Sequence, residues 1–339
     1  MGTFEFATLL GVFLNGTTTI LFPIKGDIGQ DMWIAAALAW IVGTAYILML
    51  SRCPDLPGRH PAARVVLSLY SLFVAILVAR NMEELLSLTI LPSTPRVAPA
   101  IIITLMSAYA VYQKTEALSR LPVFIAVGGT IIQFLIMGAS LPSMNPNHLL
   151  PVFEHSPALI AKDAISLISF PFLETVVFLP LFKLTEKPFK AALIGVVWAG
   201  SLLFLAVLAV IMILPPERIQ CFTSPTYAAI NSAPGSTIMK VLVTLLWMNT
   251  SFIKLAVLHY IAVTQMGQAL GLSHHKLVLP ASVLIAVLSL LIFRNTLQML
   301  NFSLRIYPLA AIPVQLGIPL YFVAARFLSR RKTGDRKTP

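Results

Sequence analysis

Residues Leu167–Phe182 read LISFPFLETVVFLPLF. The stretch is apolar enough for a lipid bilayer, yet it carries Pro171, Glu174 and Pro180. Proline lacks the backbone N–H and collides with the carbonyl one turn back, so a helix breaks at Pro171 and frees carbonyls near Asp163–Leu167. Irregular backbone at membrane depth is tolerated only where it is buried in protein or lines a wet cavity. A mid-membrane carboxylate costs at least ~2.5–3.5 kcal/mol, so Glu174 faces the interior and has a partner, or is protonated. The expected segment is a broken spanning helix with chemistry at its break.

The rest of the chain sets this segment among others of its kind. Of 339 residues, 58% are hydrophobic and only 11% are charged, and mean hydropathy is +0.87. Soluble domains carry roughly 25% charged residues. Runs of about 20 apolar residues recur, the length that crosses ~30 Å of hydrocarbon. The alternating ten-residue segments of a β-barrel are absent. The fold class is therefore an all-α polytopic membrane protein. Ten spans are expected, at about 4–24, 31–51, 64–91, 97–113, 118–139, 163–183, 189–213, 237–264, 278–294 and 303–328. The first span has no cleavage signal behind it and reads as retained. Two cysteines, Cys53 and Cys221, cannot build a disulfide framework or a zinc site.

Basic residues divide unequally between the two sets of loops. Fifteen, including Arg52, Arg64, Arg120, Lys183 and Arg330, fall on one side, against seven, including Lys25, Arg96 and Arg218, on the other. The richer side is the cytoplasmic one, which puts both termini inside. The net charge of +11 is thus a topology signal, not a nucleic-acid footprint. Residues 1–329 read as one integral membrane domain, and 330–339 as a basic cytoplasmic tail that can touch anionic lipid.

A second defect matches the first. Leu14–Pro23 reads LNGTTTILFP. If ten spans divide as five plus five, with repeats at about 4–139 and 163–328, the first and sixth are equivalents. Interrupted spans at matching positions of two halves point to a transporter-type binding site. A break at Gly16 exposes the amides of Thr17, Thr18 and Thr19, which suit a carboxylate, while carbonyls ending the preceding half-helix suit an ammonium. The ligand expected from this pairing is a small zwitterion. Three ionisable groups accompany it. Glu174 reads as a ligand-ammonium contact, a gate or a proton carrier, or as part of a structural network. Arg80 meets Glu83 and Glu84 at helical spacings of three and four, as a self-neutralised knot or a gate. Lys254 lies near Asn249 and Thr250. It reads as an ammonium filling a cation seat, as a partner for Glu174, or as a partner for free helix carbonyls. His259 reads as structural. No zinc-protease pattern, P-loop or nucleophile elbow is present, so an enzyme is not expected, nor a cofactor or metal.

The chain resembles the spore-germination permeases, the GerAB-type B subunits of nutrient germinant receptors. The resemblance is carried in order by GTTTILFP (Gly16–Pro23), GQDMW (Gly29–Trp33), LPSTP (Leu91–Pro95), YAVYQKTEALSR (Tyr109–Arg120), LLPVFE (Leu149–Glu154), SFPFLE (Ser169–Glu174) and SPTY (Ser224–Tyr227). It implies membership of the amino acid–polyamine–organocation superfamily, with a LeuT-like 5+5 inverted repeat and broken helices 1 and 6. It implies sensing of an amino acid or other small germinant in the endospore inner membrane. The implied partners are an A subunit and a C-subunit lipoprotein. By that analogy the pocket lies between spans one, three, six and eight. The ligand-binding candidates are Gly16, Thr17, Thr18, Phe170, Pro171, Glu174, Asn249 and Thr250, with Phe73 and Leu77 added from depth. Arg80, Glu83, Glu84 and Lys254 are the gating or proton-linked candidates. A proton-coupled amino-acid transporter and a scaffold or water/ion conduit are the alternatives.

Overall fold

The computed structural model describes residues 1–16, 27–53, 61–90, 93–219, 221–222, 224–232 and 235–334. Thr17, Thr18 and Thr19 lie outside the described residues. The main helices are α1 (Thr3–Asn15), α2 (Met32–Ser51), α3 (Pro61–Leu85), α4 (Val97–Tyr112), α5 (Lys114–Ser140), α6 (Pro157–Ser169), α7 (Pro188–Ile213), α8 (Ser236–Leu270), α9 (His274–Leu291) and α10 (Tyr307–Gly334). A 3₁₀ helix, Phe172–Leu184, continues α6. Among the described residues, eight helical stretches are long and apolar enough to cross a membrane, while Thr3–Asn15 and Val97–Tyr112 are shorter apolar helices. α6 and its 3₁₀ continuation form one of the eight, Pro157–Leu184, six residues longer at its start than the sequence expectation.

The break in the sixth span falls where the proline places it. Phe170 is extended, with φ −133° and ψ 109°, and Pro171 opens the 3₁₀ helix. Runs of 3₁₀ beyond three or four residues are uncommon and mark hinges or strain. This one spans thirteen residues and contains Pro180. Ser156 caps α6 by accepting from Leu159 N. α1 ends in the same way: Gly16 is extended, and its amide returns to Val12 O and Phe13 O.

The broken spans form the centre of the bundle. The Phe6 and Phe13 rings meet Phe178 edge-on, at centroid distances of 5.8 and 5.0 Å. α1 also packs against α5, α7 and α8, and α3 lies along α8. The start of the 3₁₀ helix approaches α2 so closely that a Cβ on Gly43 would stand 2.5 Å from the Phe172 ring.

Two fragments that carry the resemblance, distant in sequence, are one unit here. Asp31 is fully buried. Its carboxylate accepts from Phe153 N and His155 N, both at 2.9 Å, and pairs with His155 Nδ1 at 3.1 Å. Gln30 donates to Glu154 beside it. The clasp holds Phe153 at φ +61°, a left-handed conformation that is costly for a bulky side chain. Through it the loop leading into α6 is moored to the start of α2. Asp27 N adds a 2.7 Å bond to Asp163 Oδ2, and Lys162 pairs with the Asp27 carboxylate at 2.7 Å.

Candidate functional site: a buried ion pair between two helix breaks

Lys254, on α8, is fully buried. Its Nζ lies 2.5 Å from Glu174 Oε2 and donates to Gly16 O at 3.3 Å. The Phe13 and Phe170 rings flank the ammonium, with centroids 5.0 and 4.3 Å away. Aromatic faces attract a desolvated cation through their quadrupole. One ammonium thus joins the carbonyl ending α1 to the carboxylate just beyond the break in the sixth span. Two readings of Lys254 that the sequence left side by side, a partner for Glu174 and a partner for a free helix carbonyl, describe the same geometry.

The other carboxylate oxygen leads away along a chain of hydroxyls. Tyr307, on α10, donates to Glu174 Oε1. Its hydroxyl is 3.1 Å from that of Tyr70 on α3. Gln315 Nε2 donates at 2.8 Å both to Tyr70 and to Ser169 O, the last carbonyl of α6. Ser169 Oγ returns a 3.1 Å bond to Gln315 Oε1, and Tyr46 donates to Gln315 O. The direction of this chain is forced. An amide nitrogen can only donate, so Tyr70 accepts from Gln315 and passes its own hydrogen to Tyr307, whose hydrogen goes to Glu174. The donors from Gln315 through Tyr70 and Tyr307 run toward the carboxylate, which receives a hydroxyl on one oxygen and an ammonium on the other. The carbonyls ending both interrupted half-helices, Gly16 O and Ser169 O, are capped by this single network. The capped carbonyl in the sixth span is therefore Ser169, not one of Asp163–Leu167.

The sequence candidates separate accordingly. Gly16, Phe170, Pro171, Glu174 and Lys254 come together. Thr250 is buried one turn before Lys254, and its hydroxyl donates back to Trp247 O at 3.0 Å. Gly16 tolerates no side chain, because a Cβ would stand 2.8 Å from Thr250 O and 2.9 Å from Lys254 Cβ. Asn249 is exposed, its amide on Leu245 O, and does not join the group. Phe73 stacks on Tyr307 at 6.3 Å and 15°. Leu77 is buried, one turn further along α3.

Arg80, Glu83 and Glu84 form a separate knot. Arg80 lies 3.0 Å from Glu84 and 3.9 Å from Glu83, and Arg96 adds a second cation 3.1 Å from Glu84. Ser289 donates to Glu83 and Thr296 to Glu84. Ten residues of α3, ~15 Å at 1.5 Å per residue, separate Arg80 from Tyr70. His259 accepts from Ser107 at Nδ1 (3.0 Å) and donates to Val278 O (3.3 Å), tying α4, α8 and α9 together. No group of three or more His, Cys, Asp or Glu residues suited to a metal is found among the described residues.

Tyr307, Tyr70, Gln315 and Phe13 were not legible as site residues. Gln315 left one signal, a carboxamide in an apolar span between Pro313 and Pro319.

A bundle of apolar helices around two interrupted segments defines an integral membrane protein of permease type. Its fold is the LeuT-like one. It superposes on MhsT, whose crystal structure is of the complex with L-phenylalanine, with TM-score 0.70 over 94% of this chain and 88% of that one, at 10% identity. The chain belongs to the spore germination protein family of permeases, whose profile matches residues 63–298. YfkT of Bacillus subtilis (strain 168), named for spore germination, is 23% identical over 272 residues, or 76% of this chain and 74% of that protein.

Proposed function

We propose that this protein is the B subunit of a spore nutrient germinant receptor, binding a small germinant in mid-membrane and signalling to partner subunits. The observation that carries this reading is the seat of Lys254. A carboxylate, a helix-end carbonyl and two aromatic faces surround one ammonium between two helix breaks. The same groups suit the α-ammonium of an amino acid. The L-phenylalanine held by MhsT, a protein of the same fold, supports amino acids as the ligand class. A germinant ammonium competes with Lys254 for Glu174 and Gly16 O. Displacing Lys254 releases one half-helix from the other, and Gln315 carries the change to α10. A ligand shifts this balance only through its difference in affinity for the two arrangements. The partners are an A subunit and a C-subunit lipoprotein. The setting is the endospore inner membrane, with both termini cytoplasmic.

Binding of radiolabelled amino acids to the purified chain tests this directly. Saturable binding that is lost in Glu174→Gln is expected. Absence of binding to any amino acid, with the fold intact, refutes the ligand assignment. The Glu174–Lys254 pair also favours a second reading, proton-coupled amino-acid transport. Counterflow in proteoliposomes without partners supports that reading, and binding without counterflow supports the receptor. Unchanged binding in Gly16→Phe and Pro171→Ala favours a scaffold or conduit.

A further inference from the structure

α10 outruns the apolar run that it is built on. Its helix continues through Gly334, whereas that run closes with Phe327 and Leu328. Arg330, Arg331 and Lys332 follow Leu328 on the same helix, within ~6 Å of rise. Arg326 stands two residues before it. The polar layer on each face of a bilayer is ~5–8 Å deep, so these basic residues lie at the depth of lipid headgroups. No Asp or Glu occurs between Tyr307 and Gly334, so the charges have no acidic neighbour on their own helix.

α2 fastens α10 well short of this end. Pro319 has no N–H to offer Gln315 O, four residues back, and Tyr46 donates to that carbonyl instead. Cys53 Sγ, just past α2, meets Pro319 O at 3.6 Å. From Pro319 to Gly334 the helix runs on for ~22 Å, and Leu320 and Tyr321 are already exposed. An isolated helix of this length is marginal in water. The helix dipole favours cations only in the last turn, which leaves Arg326 and Arg330 outside its reach. An anionic headgroup supplies the counter-charge at the right depth, and a surface of such lipids favours each nearby basic residue about fivefold.

We propose that residues 326–332 of α10 form a docking surface for anionic phospholipid headgroups, which hold this end of the helix. The surface stands apart from the germinant reading. It lies on the helix that carries Tyr307 and Gln315 into the network around Glu174.

The full chain is placed in nanodiscs of phosphatidylcholine alone and of phosphatidylcholine mixed with phosphatidylglycerol. Hydrogen exchange at residues 326–334 is expected to slow about tenfold or more in the anionic discs, measured against residues 271–273. That loop lies at the same end of the bundle and feels the same surface potential. Each variant is compared with itself across the two discs. Arg330→Gln, Arg331→Gln and Lys332→Gln together remove the slowing. Lys183→Gln, Lys187→Gln and Lys190→Gln, an equal loss of charge elsewhere on that side, leave it in place. Salt at ~1 M, where the screening length falls to ~3 Å, removes it as well. Equal exchange in the two discs overturns the proposal. Loss of the slowing in the second triple variant overturns it too, because the charges then act only as a topology signal. Inorganic phosphate that reproduces the slowing in phosphatidylcholine discs assigns an anion site without lipid, and is the third result against it.

Discussion

Replacing Lys254 by Met removes the only cation beside Glu174 among the described residues and uncaps Gly16 O. The two side chains are fully buried, so the carboxylate left behind has no water to turn to. Breaking one partner of a buried pair costs about 3–5 kcal/mol, whereas replacing the pair by neutral groups is often nearly neutral. Glu174→Gln strands the ammonium and has a cost of the same order, softened because Gly16 O and two rings still face it. The double variant, Lys254→Met with Glu174→Gln, keeps the Tyr307 contact and leaves no uncompensated charge. It is expected to be more stable than either single variant, with a coupling of about 2–3 kcal/mol, as for residues in direct contact. Equilibrium unfolding of the purified protein in mixed micelles, run on all four forms, reads this directly. Additive costs, with the double variant the least stable, would refute the view that the pair's charges hold each other in place.

Four further outcomes follow from the same geometry. Gly16→Ala forces a Cβ against a backbone carbonyl that cannot retreat; a loss of about 1–3 kcal/mol is expected in unfolding, with weakened ligand binding. Gln315→Leu strands Ser169 O and takes one donor from Tyr70, at about 1–3 kcal/mol per unsatisfied group; Gln315→Glu, which keeps the acceptor and loses the donors, should not restore it. Asp31→Ala removes the acceptor for Phe153 N and His155 N, so hydrogen exchange at residues 149–156 should rise while the centre of α3 stays protected. The Asp27 carboxyl is held below its ordinary range, first by its hydrogen bond from Lys162 and then by the charges of Lys162 and Arg305 against partial burial. The unfolded chain therefore binds the proton more readily, so this contact stabilises above about pH 4 and is lost as the pH falls through the lower folded value. Asp27→Asn should remove that part of the acid dependence and leave neutral-pH stability within about 1 kcal/mol.

The two breaks were legible because their cause is local. Proline lacks its donor and glycine lacks its Cβ wherever the chain goes, so LISFPFLE and LNG mark an interruption before any neighbour is known. Composition and run length likewise determined a helical membrane protein, since the bilayer imposes that length on every span. The face of each helix was another matter. Asn249 and Thr250 are adjacent and equally polar in the letters, but a turn of 100° per residue sends one outward and buries the other beside Gly16. Glu174 had to have a partner or a proton, and Lys254 was one of several possibilities until α8 was set against α1. Tyr70, Tyr307 and Gln315 lie on helices 237 and 245 residues apart in sequence. Their one directed hydrogen-bond chain exists because tertiary packing stacks α3, α6 and α10 around the break. Local stereochemistry determines where a helix must end. Which group satisfies the end depends on long-range packing, and no single stretch of sequence encodes that.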